Sequence, residues 1–484
     1  MTQSLSREQL IELSKRLQTL PASVRELLTH TLQTLQTPDI HPAAAAEALL
    51  QRTRGLSGDA LEQALHFASQ GIRRRVVVTG IGALTAVGEG VTEMWQNLLA
   101  GRSGIDYVTL FDASDYPTRI AAEVKNWDPT RYIERKEARR MARCSQFAVG
   151  MAELALKDAG LPIDQPLGER TATIMGTGLG GFDIYQKSVM DSTRRGKFRV
   201  SPMVAVGGLP NMPAFHISQR FGATGPLNTV VTACAAGTQA VGEAANLIRH
   251  GLADTVISGG VEALIGHMFF SGFSSMKAIS TRNDPPHKAS RPFDANRDGF
   301  IIGEGGAVLI LESLERALAR GARIYAEVLG HAASADAYHV AAPHPQGEGA
   351  INAMRWALGD AGVQPHEIDY INTHGTSTPL NDKTETHAIK QVFGDHAYNV
   401  AINSTKSMLG HAFGGSGAIE AAVTALSIHQ DRIHPTINYE TPDPECDLDY
   451  TPNHARSLPV NLALSNSFGL GGQNACLVMK KFAL

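Results

Sequence analysis

Cysteine, charge imbalance and long apolar runs are all scarce in this chain of 484 residues. Its four cysteines are scattered and include no C-x-x-C pair, which argues against a disulfide framework and a structural zinc site. No apolar run is long enough to span a bilayer, and the charges from Arg7 to Arg16 exclude a secretory signal. A net charge of −4 gives no global electrostatic case for nucleic-acid binding. We therefore expect a cytoplasmic protein with no nucleic-acid partner and no membrane span.

The composition and the order of the hydrophobic segments indicate an α/β protein from Arg73 onward. Apolar residues are 43% of the chain and charged residues 19%, a balance typical of a folded enzyme. Strand-like runs alternate with helical runs, which predicts a largely buried sheet covered by helices. The strand-like runs are TATIM, NTVVT, TVISGG, AVLILE and YAEVLG.

Residues 1–73 have a different pattern. Capping boxes begin at Ser6 and Ser23, and each is followed by leucines at helical spacing. The stretches 43–52 and 58–70 are typical of further short helices. We expect a small all-α appendage that either packs on its own leucines or serves as a docking or oligomerisation module for an unknown protein partner.

Two apparent ligand motifs are incomplete. Gly176, Gly178 and Gly181 fit G-x-G-x-x-G after TATIM, but no helix clearly opens there and no acidic residue is well placed beyond a second strand. A dinucleotide site is therefore not expected. The eighteen histidines include no H-E-x-x-H or comparable ligand cluster, so no bound metal is expected either.

Cys234 is a candidate nucleophile. A β-branched run ends at Thr232, and Cys234 lies where the chain turns into an amphipathic helix. The N-terminus of a helix favours a thiolate over the ordinary thiol, whose pKa is about 8.5. A cysteine among alanines is more often a packing residue, so at this point both interpretations stay open.

Two histidines lie in glycine-rich loops downstream. His374 follows the strand-like run DYINT, and His411 lies in the segment STKSMLGH. Hydroxyl groups near His374 are suited to hold a polar linker, and a nearby carboxylate is suited to orient its neighbours. The accompanying residues are Thr376, Thr378 and Asp382 in the first loop, and Lys406 and Glu420 in the second segment.

Four blocks in order, TACAAG, THGTSTPLND, STKSMLGH and NSFGLGG, resemble the active-site blocks of elongating type II β-ketoacyl-acyl-carrier-protein synthases. The resemblance runs from about Arg74 to the C-terminus. It implies a thiolase-like, layered α-β-α-β-α fold of two similar lobes, which we place at 74–320 and 321–484, and normally a homodimer. It also implies an acyltransferase that performs a decarboxylating Claisen condensation of an acyl thioester with malonyl-acyl carrier protein, as in fatty-acid elongation.

The resemblance assigns a role to each block. Cys234 would accept the acyl group, His374 and His411 would decarboxylate the malonyl unit, and Lys406 would form a buried charge pair with Glu420. Phe468 would gate the malonyl pocket, and the backbone N–H groups of Cys234 and Phe468 would form an oxyanion hole. The block departs from the family's SFGFGG-TN pattern at Leu470 and Gln473, which bears on the mobility of the gate.

The resemblance also locates the acyl tunnel and the carrier-protein surface. It places Leu179 in the tunnel, with Val204 and Ala205 contributed across a dimer interface. The small size of the latter two predicts a roomy tunnel for medium or long chains. No cofactor would be bound permanently, because phosphopantetheine arrives on the acyl carrier protein. Carrier docking is predicted at Lys136, Arg139, Arg140, Arg199 and Lys277, with a solvated helix face as the alternative at each.

Two other interpretations remain at this stage. One is the same chemistry in a polyketide or other specialised pathway, with the N-terminal helices as a docking element. The other is a non-catalytic partner subunit such as a chain-length factor, although such subunits typically lack the nucleophilic cysteine that Cys234 represents here.

Overall fold

The computed structural model describes residues 74–196 and 200–483, which belong to one compact unit that begins at Arg74. The helical appendage predicted for residues 1–73 lies outside the described residues, and so does Arg199. Among the described residues, no helix is both long enough and apolar enough to cross a membrane.

Most of the strands belong to one mixed sheet, and two pairs of two-residue strands, at 106–107 with 120–121 and at 432–433 with 456–457, form separate sheets. In chain order the strands are β1 (Val76–Thr85), β2 (Gly88–Glu89), β3 (Asp106–Tyr107), β4 (Ile120–Ala121), β5 (Thr171–Gly176), β6 (Leu227–Val230), β7 (Thr255–Glu262), β8 (Gly305–Ser313), β9 (Ala326–Ala335), β10 (Tyr370–Asn372), β11 (Ala401–Asn403), β12 (Arg432–Ile433), β13 (Arg456–Ser457), β14 (Leu462–Gly469) and β15 (Gln473–Lys480). The central strands β1, β7 and β8 are buried along their whole length, as expected for a sheet that is covered on both faces.

Helices connect and cover these strands. In chain order they are α1 (Val91–Leu99), α2 (Arg135–Ala138), α3 (Arg143–Ala159), α4 (Phe182–Arg195), α5 (Val204–Gly207), α6 (Met212–Phe221), α7 (Ala236–Arg249), α8 (His267–Ser275), α9 (Leu314–Ala319), α10 (Glu348–Ala361), α11 (Pro379–Phe393), α12 (Lys406–Leu409) and α13 (Ser416–Gln430).

The sheet consists of two halves with the same topology. The strand order is β6-β5-β7-β8-β1 in the first half and β11-β10-β14-β15-β9 in the second. When the strands of each half are numbered in chain order, the second pairs in parallel with the third and the fourth, and the fifth is antiparallel to the fourth and the first. A short β1–β9 pairing joins the halves. The predicted fold of two similar α/β lobes is confirmed, whereas the lobe boundary at 320 and 321 stays a prediction.

Two buried helices occupy equivalent places in the halves. Helix α7 connects the third and fourth strands of the first half, and α13 does so in the second. They pack closely: a Cβ on Gly237 of α7 would lie 2.6 Å from the backbone N of Ala418 in α13. Helix α13 is buried from Ser416 to Ile428. The small residues after Cys234 are therefore required by this helix contact, because backbone must approach backbone there.

The expectation that no helix follows the glycine motif was wrong. Helix α4 begins at Phe182, directly after Gly181, and no side chain caps its N-terminus. The missing capping residue explains why the sequence pattern hid it. Within this motif the N–H groups of Gly178 and Leu179 donate to the carboxylate of Glu262.

Candidate active site

Three residues predicted from the sequence come together between the two halves of the sheet. Atoms from the side chains of Cys234, His374 and His411 lie within 4.8 Å of one another. All three are buried, with exposed fractions of 4%, 3% and 3%. Cys234 precedes α7 in the first half, His374 follows β10, and His411 follows α12 in the second. The nucleophile therefore comes from one half and both histidines come from the other.

The turn that presents Cys234 has a strained backbone. Ala233 has a φ of 48°, in the left-handed region that costs a non-glycine residue on the order of 1–3 kcal/mol. Cys234 then lies in a single 3-10 turn, Ala233–Ala235, that continues into α7. The strain aims the thiol into the space between the halves instead of along the helix.

The predicted preference for a thiolate was wrong. Burial raises the pKa of Cys234 to about 11, and a hydrogen bond with the backbone of Leu470 and the charge of Lys406 only partly oppose that rise. Cys234 belongs to a buried hydrophobic cluster that includes Phe273 and Phe413. Burial is the largest influence on this pKa, and the thiol is the favoured form at neutral pH.

Both histidines are neutral at pH 7. Burial, together with the charge of Lys406, lowers the pKa of His374 and of His411 well below the usual range. The Ser416 hydroxyl accepts the N–H of Ala412 at 2.9 Å and lies 3.0 Å from His411 Nδ1. It can donate its own O–H to Nδ1, which leaves the ring proton on Nε2.

A buried ion pair lies beside the histidines. Lys406 Nζ pairs with a carboxylate oxygen of Glu420 and also donates to the backbone carbonyl of His374 at 2.7 Å. The side chains of Lys406 and Glu420 are 3% and 1% exposed. Burial raises the pKa of Glu420 to about 7, and Lys406 opposes that rise. The pair thus holds the main chain that carries His374.

Two buried glutamates were missed by the sequence interpretation. Glu385 accepts the N–H groups of His374 and Gly375, both at 2.8 Å. Glu262 accepts those of Gly178 at 2.5 Å and Leu179 at 3.3 Å. Burial raises the pKa of each glutamate to about 7. Two sequence features would have indicated them. Glu262 lies at the end of a buried strand, and Glu385 lies three residues after Asp382 on a helix.

Asp382 and the two threonines shape the loop after His374. The Asp382 carboxylate accepts the N–H of Ser377 at 3.2 Å and that of Phe293 at 2.9 Å. Thr378 caps helix α11, and its hydroxyl lies 2.9 Å from that of Thr376. These contacts hold the loop over the entrance to the site.

A cavity of about 490 Å³ opens onto Cys234, His374 and His411. Its lining divides by chemistry. Polar lining residues include Asp298, Asp336, His339, Thr376, Thr378 and Asn381, and apolar ones include Phe273, Met276, Phe300 and Phe413. The predicted gate residue Phe468 also lines the cavity, with its ring 5.9 Å from that of His374. The predicted tunnel residues Leu179, Val204 and Ala205 do not line it.

The predicted docking residues within the described part of the chain are exposed. Lys136 lies in the short helix α2, and Arg139 and Arg140 follow that helix directly. Lys277 lies at the cavity, after the end of α8.

The cluster of one thiol and two imidazoles has the donor atoms of a metal site. Within the described residues, no further His, Cys, Asp or Glu joins it. The charge of Lys406 acts on all three groups, which disfavours a second cation among them. The arrangement suits a nucleophile beside two neutral hydrogen-bond donors better than a metal.

Comparison with known families decides the classification. Residues 73–317 match the beta-ketoacyl synthase N-terminal domain, and residues 325–440 match the beta-ketoacyl synthase C-terminal domain. The chain belongs to the β-ketoacyl synthase family.

Individual relatives agree with this assignment. The chain is 50% identical to 3-oxoacyl-[acyl-carrier-protein] synthase 2 of Synechocystis sp. over 410 residues, which cover 85% of this chain and 99% of that protein. It is 48% identical to the synthase of the same name from Staphylococcus aureus over 412 residues, 84% of this chain and 99% of that one.

Solved structures of ketosynthases share the fold. The ishigamide ketosynthase/chain length factor superposes with a TM-score of 0.80 at 39% identity, covering 85% of this chain and 100% of that one. A type II polyketide synthase acyl-carrier protein in complex with its ketosynthase bound to the hexaketide gives a TM-score of 0.79 at 35% identity, with the same coverage.

Proposed function

We propose that this ketosynthase condenses an acyl group held on Cys234 with a malonyl unit on an acyl carrier protein, with loss of carbon dioxide, in fatty-acid elongation. The observation that carries the proposal is the convergence of one thiol and two neutral imidazoles within 4.8 Å in a buried cavity. The two 3-oxoacyl-[acyl-carrier-protein] synthase relatives, at 48–50% identity, support the fatty-acid pathway.

The first half-reaction is acyl transfer to Cys234. Its sulfur attacks the thioester carbon, the bond from that carbon to the carrier's sulfur breaks, and the thiol proton passes to the leaving thiolate. We assign stabilisation of the oxyanion to the backbone N–H groups of Cys234 and Phe468. Gly469 supports this assignment, because a Cβ there would lie 3.2 Å from Cys234 N and would crowd the oxyanion.

The second half-reaction supplies the carbanion equivalent. The bond between the malonyl α-carbon and its carboxylate breaks, carbon dioxide leaves, and the electron pair moves into an enolate. Neutral N–H donors on His374 and His411 stabilise the enolate oxygen. The enolate carbon attacks the acyl carbon on Cys234, and the sulfur leaves as a thiolate that regains a proton from solvent.

Partners follow from this chemistry. Phosphopantetheine would enter the cavity past Thr376 and Thr378, while the carrier binds at Lys136, Arg139, Arg140, Arg199 and Lys277. We propose a homodimer through the edge strand β6, where Leu227 and the adjacent Val231 are 47% and 48% exposed. A cytoplasmic location is consistent with four cysteines that are all free thiols.

The same reaction in a polyketide pathway is the second candidate. Similarity to the ishigamide ketosynthase and to the hexaketide-bound ketosynthase favours it. Kinetics with saturated acyl carriers and with β-ketoacyl carriers would separate the two, because a polyketide enzyme extends unreduced chains. Higher kcat/KM for β-ketoacyl carriers would overturn the fatty-acid assignment.

The direct test combines purified protein, an acyl-acyl carrier protein and malonyl-acyl carrier protein. We expect a β-ketoacyl-acyl carrier protein product and an acyl adduct on Cys234 by mass spectrometry. A non-catalytic chain-length factor would give neither the product nor the adduct.

A further inference from the structure

A buried arginine outside the catalytic cluster contacts the loop that carries the two cavity threonines. Arg297 Nε donates to the backbone carbonyl of Thr378 at 3.3 Å, and Arg297 Nη2 donates to that of Pro379 at 3.2 Å. The Arg297 side chain is 5% exposed and does not line the cavity, whereas Thr378 and Pro379 do. The influence of Arg297 on the cavity therefore acts through the main chain of these two residues.

Three oxygens from other segments hold the guanidinium in place. Arg297 Nη1 donates to the Asp443 carboxylate at 2.5 Å and to the backbone carbonyl of Asp294 at 2.9 Å. Asp382 Oδ2 lies 3.6 Å from Arg297 Nε. A guanidinium is a rigid planar fork, so fixing Nη1 also fixes the directions in which Nε and Nη2 donate.

The contact is not one that helix α11 requires. Thr378 is the N-cap of this helix and Pro379 is its first residue, so Arg297 lies at the positive end of the helix dipole, where a cation is disfavoured. The carbonyl of Thr378 already accepts the N–H of Asp382 at 3.3 Å. The guanidinium therefore adds a second hydrogen bond to a carbonyl that the helix already satisfies, and this bond fixes the loop before the helix.

The loop needs such support because its backbone is strained. Ser377, which lies between the two cavity threonines, has a φ of 69°, in the left-handed region that is unfavourable for a residue other than glycine. The Ser377 hydroxyl accepts the N–H of Arg291 at 3.0 Å, and its carbonyl accepts that of Gly299 at 3.1 Å. Residues 291–299 thus hold both the strained turn and, through Arg297, the start of the helix that follows it.

We infer that Arg297 is a positioning residue for the phosphopantetheine arm, because it fixes the main chain that places the hydroxyls of Thr376 and Thr378 at the cavity. The inference rests on the proposed function and deepens it by naming a residue outside the cavity that determines affinity for the arm. Hydroxyls displaced from the amide groups of the arm would leave hydrogen bonds unmade.

The test is saturation kinetics of Cys234 acylation with hexanoyl-pantetheine, which has the arm but no carrier protein. Intact-protein mass spectrometry gives the maximal rate and the half-saturating concentration. Arg297→Gln should raise the half-saturating concentration about tenfold, because a small misplacement of binding groups has effects on this scale. It should change the maximal rate less than about twofold, because the loop does not supply the oxyanion donors of this step.

Iodoacetamide distinguishes positioning of the arm from a general disturbance of the site. It alkylates Cys234 without an arm, so its rate constant should change less than about twofold in Arg297→Gln. Arg297→Lys keeps the charge but loses the fork, so it should give a half-saturating concentration between those of the wild type and the glutamine variant.

Arg249 offers a matched control in the same chain. Its side chain is also 5% exposed, pairs with Asp360 at 3.4 Å, and donates to the carbonyls of Val328 and Leu329 at 2.9 Å and 2.6 Å. None of these residues lines the cavity. Arg249→Gln should therefore leave the half-saturating concentration unchanged.

Each outcome supports or overturns the inference. Equal rises in Arg297→Gln and Arg249→Gln, or an iodoacetamide rate that falls as much as acylation does, would overturn it. If the glutamine variant does not fold, Arg297→Lys is compared with Arg249→Lys, and a rise of at least about threefold is expected in the former alone. Saturable acylation that is the same in Arg297→Gln and wild type would overturn the inference and leave the proposed function standing. No adduct on Cys234 in the wild type would overturn both.

Discussion

The two halves of the sheet have the same strand order but contribute different chemistry. Each half has a buried helix after its third strand, and the loops before these two helices meet at the site. In the first half that loop presents Cys234, whereas the second half presents His374, Lys406 and His411. The repeated topology therefore places the N-termini of two buried helices opposite each other, and the residues of the loops decide the chemical role of each half.

A second difference concerns the buried glutamates. Glu262 and Glu385 each accept two consecutive backbone N–H groups from the loop after the second strand of their half. In the second half that loop carries His374, and burial raises the pKa of Glu385, a rise that Lys406 partly opposes. In the first half the loop carries Leu179, and Glu262 also receives the N–H of Gly414 at 3.3 Å. Equivalent glutamates therefore hold the loop that carries His374 in the second half and the glycine-rich loop before α4 in the first.

Removing the Cys234 thiol should show most clearly that the two halves contribute to different steps of the reaction. Cys234→Ala should lower condensation more than about 1,000-fold, because no acyl group can be held. Carbon dioxide release from malonyl-acyl carrier protein should persist, because His374 and His411 belong to the other half. His374→Ala should abolish both. Loss of carbon dioxide release in Cys234→Ala, with unchanged circular dichroism, would contradict this division of roles.

The reactivity of the thiol should depend strongly on pH. Burial raises the pKa of Cys234 to about 11, so the thiolate fraction grows about tenfold per pH unit below that value. Iodoacetamide should therefore inactivate the enzyme about 100-fold faster at pH 9 than at pH 7, with Cys234→Ala reporting background labelling. A rate that is flat above pH 7 would mean that the helix N-terminus outweighs burial after all.

Breaking the buried ion pair should destabilise the second half. Lys406→Met leaves the carboxylate of Glu420 buried without its cation, which should cost about 3–5 kcal/mol in the free energy of unfolding. Lys383→Met is the matched control, because Lys383 and its partner Glu445 are 54% and 57% exposed. Denaturant unfolding of both variants would measure the difference. Equal losses would contradict the buried role of Lys406.

The buried glutamates should have smaller and distinct effects. Glu385→Gln replaces one accepting oxygen with an amide donor facing a backbone N–H, so condensation should fall about tenfold. Glu262→Gln should slow acylation of Cys234 more than carbon dioxide release. If Glu262→Gln slowed carbon dioxide release more than acylation of Cys234, the two glutamates would not have the separate roles that we assign to them.

The glutamates also predict how stability depends on pH. Their folded pKa of about 7 lies above the ordinary glutamate value of 4.5, so the folded state binds more protons between these values. Their contribution to stability is therefore full below about pH 4.5 and is lost as the pH rises through 7. Each glutamine variant should show a smaller fall in unfolding free energy between pH 5 and pH 8 than the wild type.

Charge reversal on the surface should have the smallest effect. Arg139→Glu with Arg140→Glu should lower kcat/KM for carrier-borne substrates severalfold, and more at low salt, because surface charges act mainly on association. Turnover of a small acyl-pantetheine thioester should be unchanged. Arg355→Glu is the control, since Arg355 is an exposed arginine in the second half. Equal effects of the two changes would remove Arg139 and Arg140 from the docking surface.

Local pattern predicted more of the fold than of the electrostatics. Alternating strand-like and helical runs predicted the strands and helices. Helix α4 was not predicted, because it follows a glycine-rich run without a capping residue. The thiolate prediction failed because it considered only the helix after Cys234. The phenylalanines that desolvate the sulfur come from α8 and from the turn after His411, which lie far from it in the chain.

Residue types in ordered blocks of the sequence predicted the reaction class, and they also predicted the cysteine and the two histidines that we propose as its catalytic residues. The ionisation of these groups and the glutamates that hold their loops became evident from the tertiary structure. The physical reason is that desolvation, buried hydrogen bonds and aromatic packing depend on neighbours from distant segments, which the chain brings together only when the two halves pack.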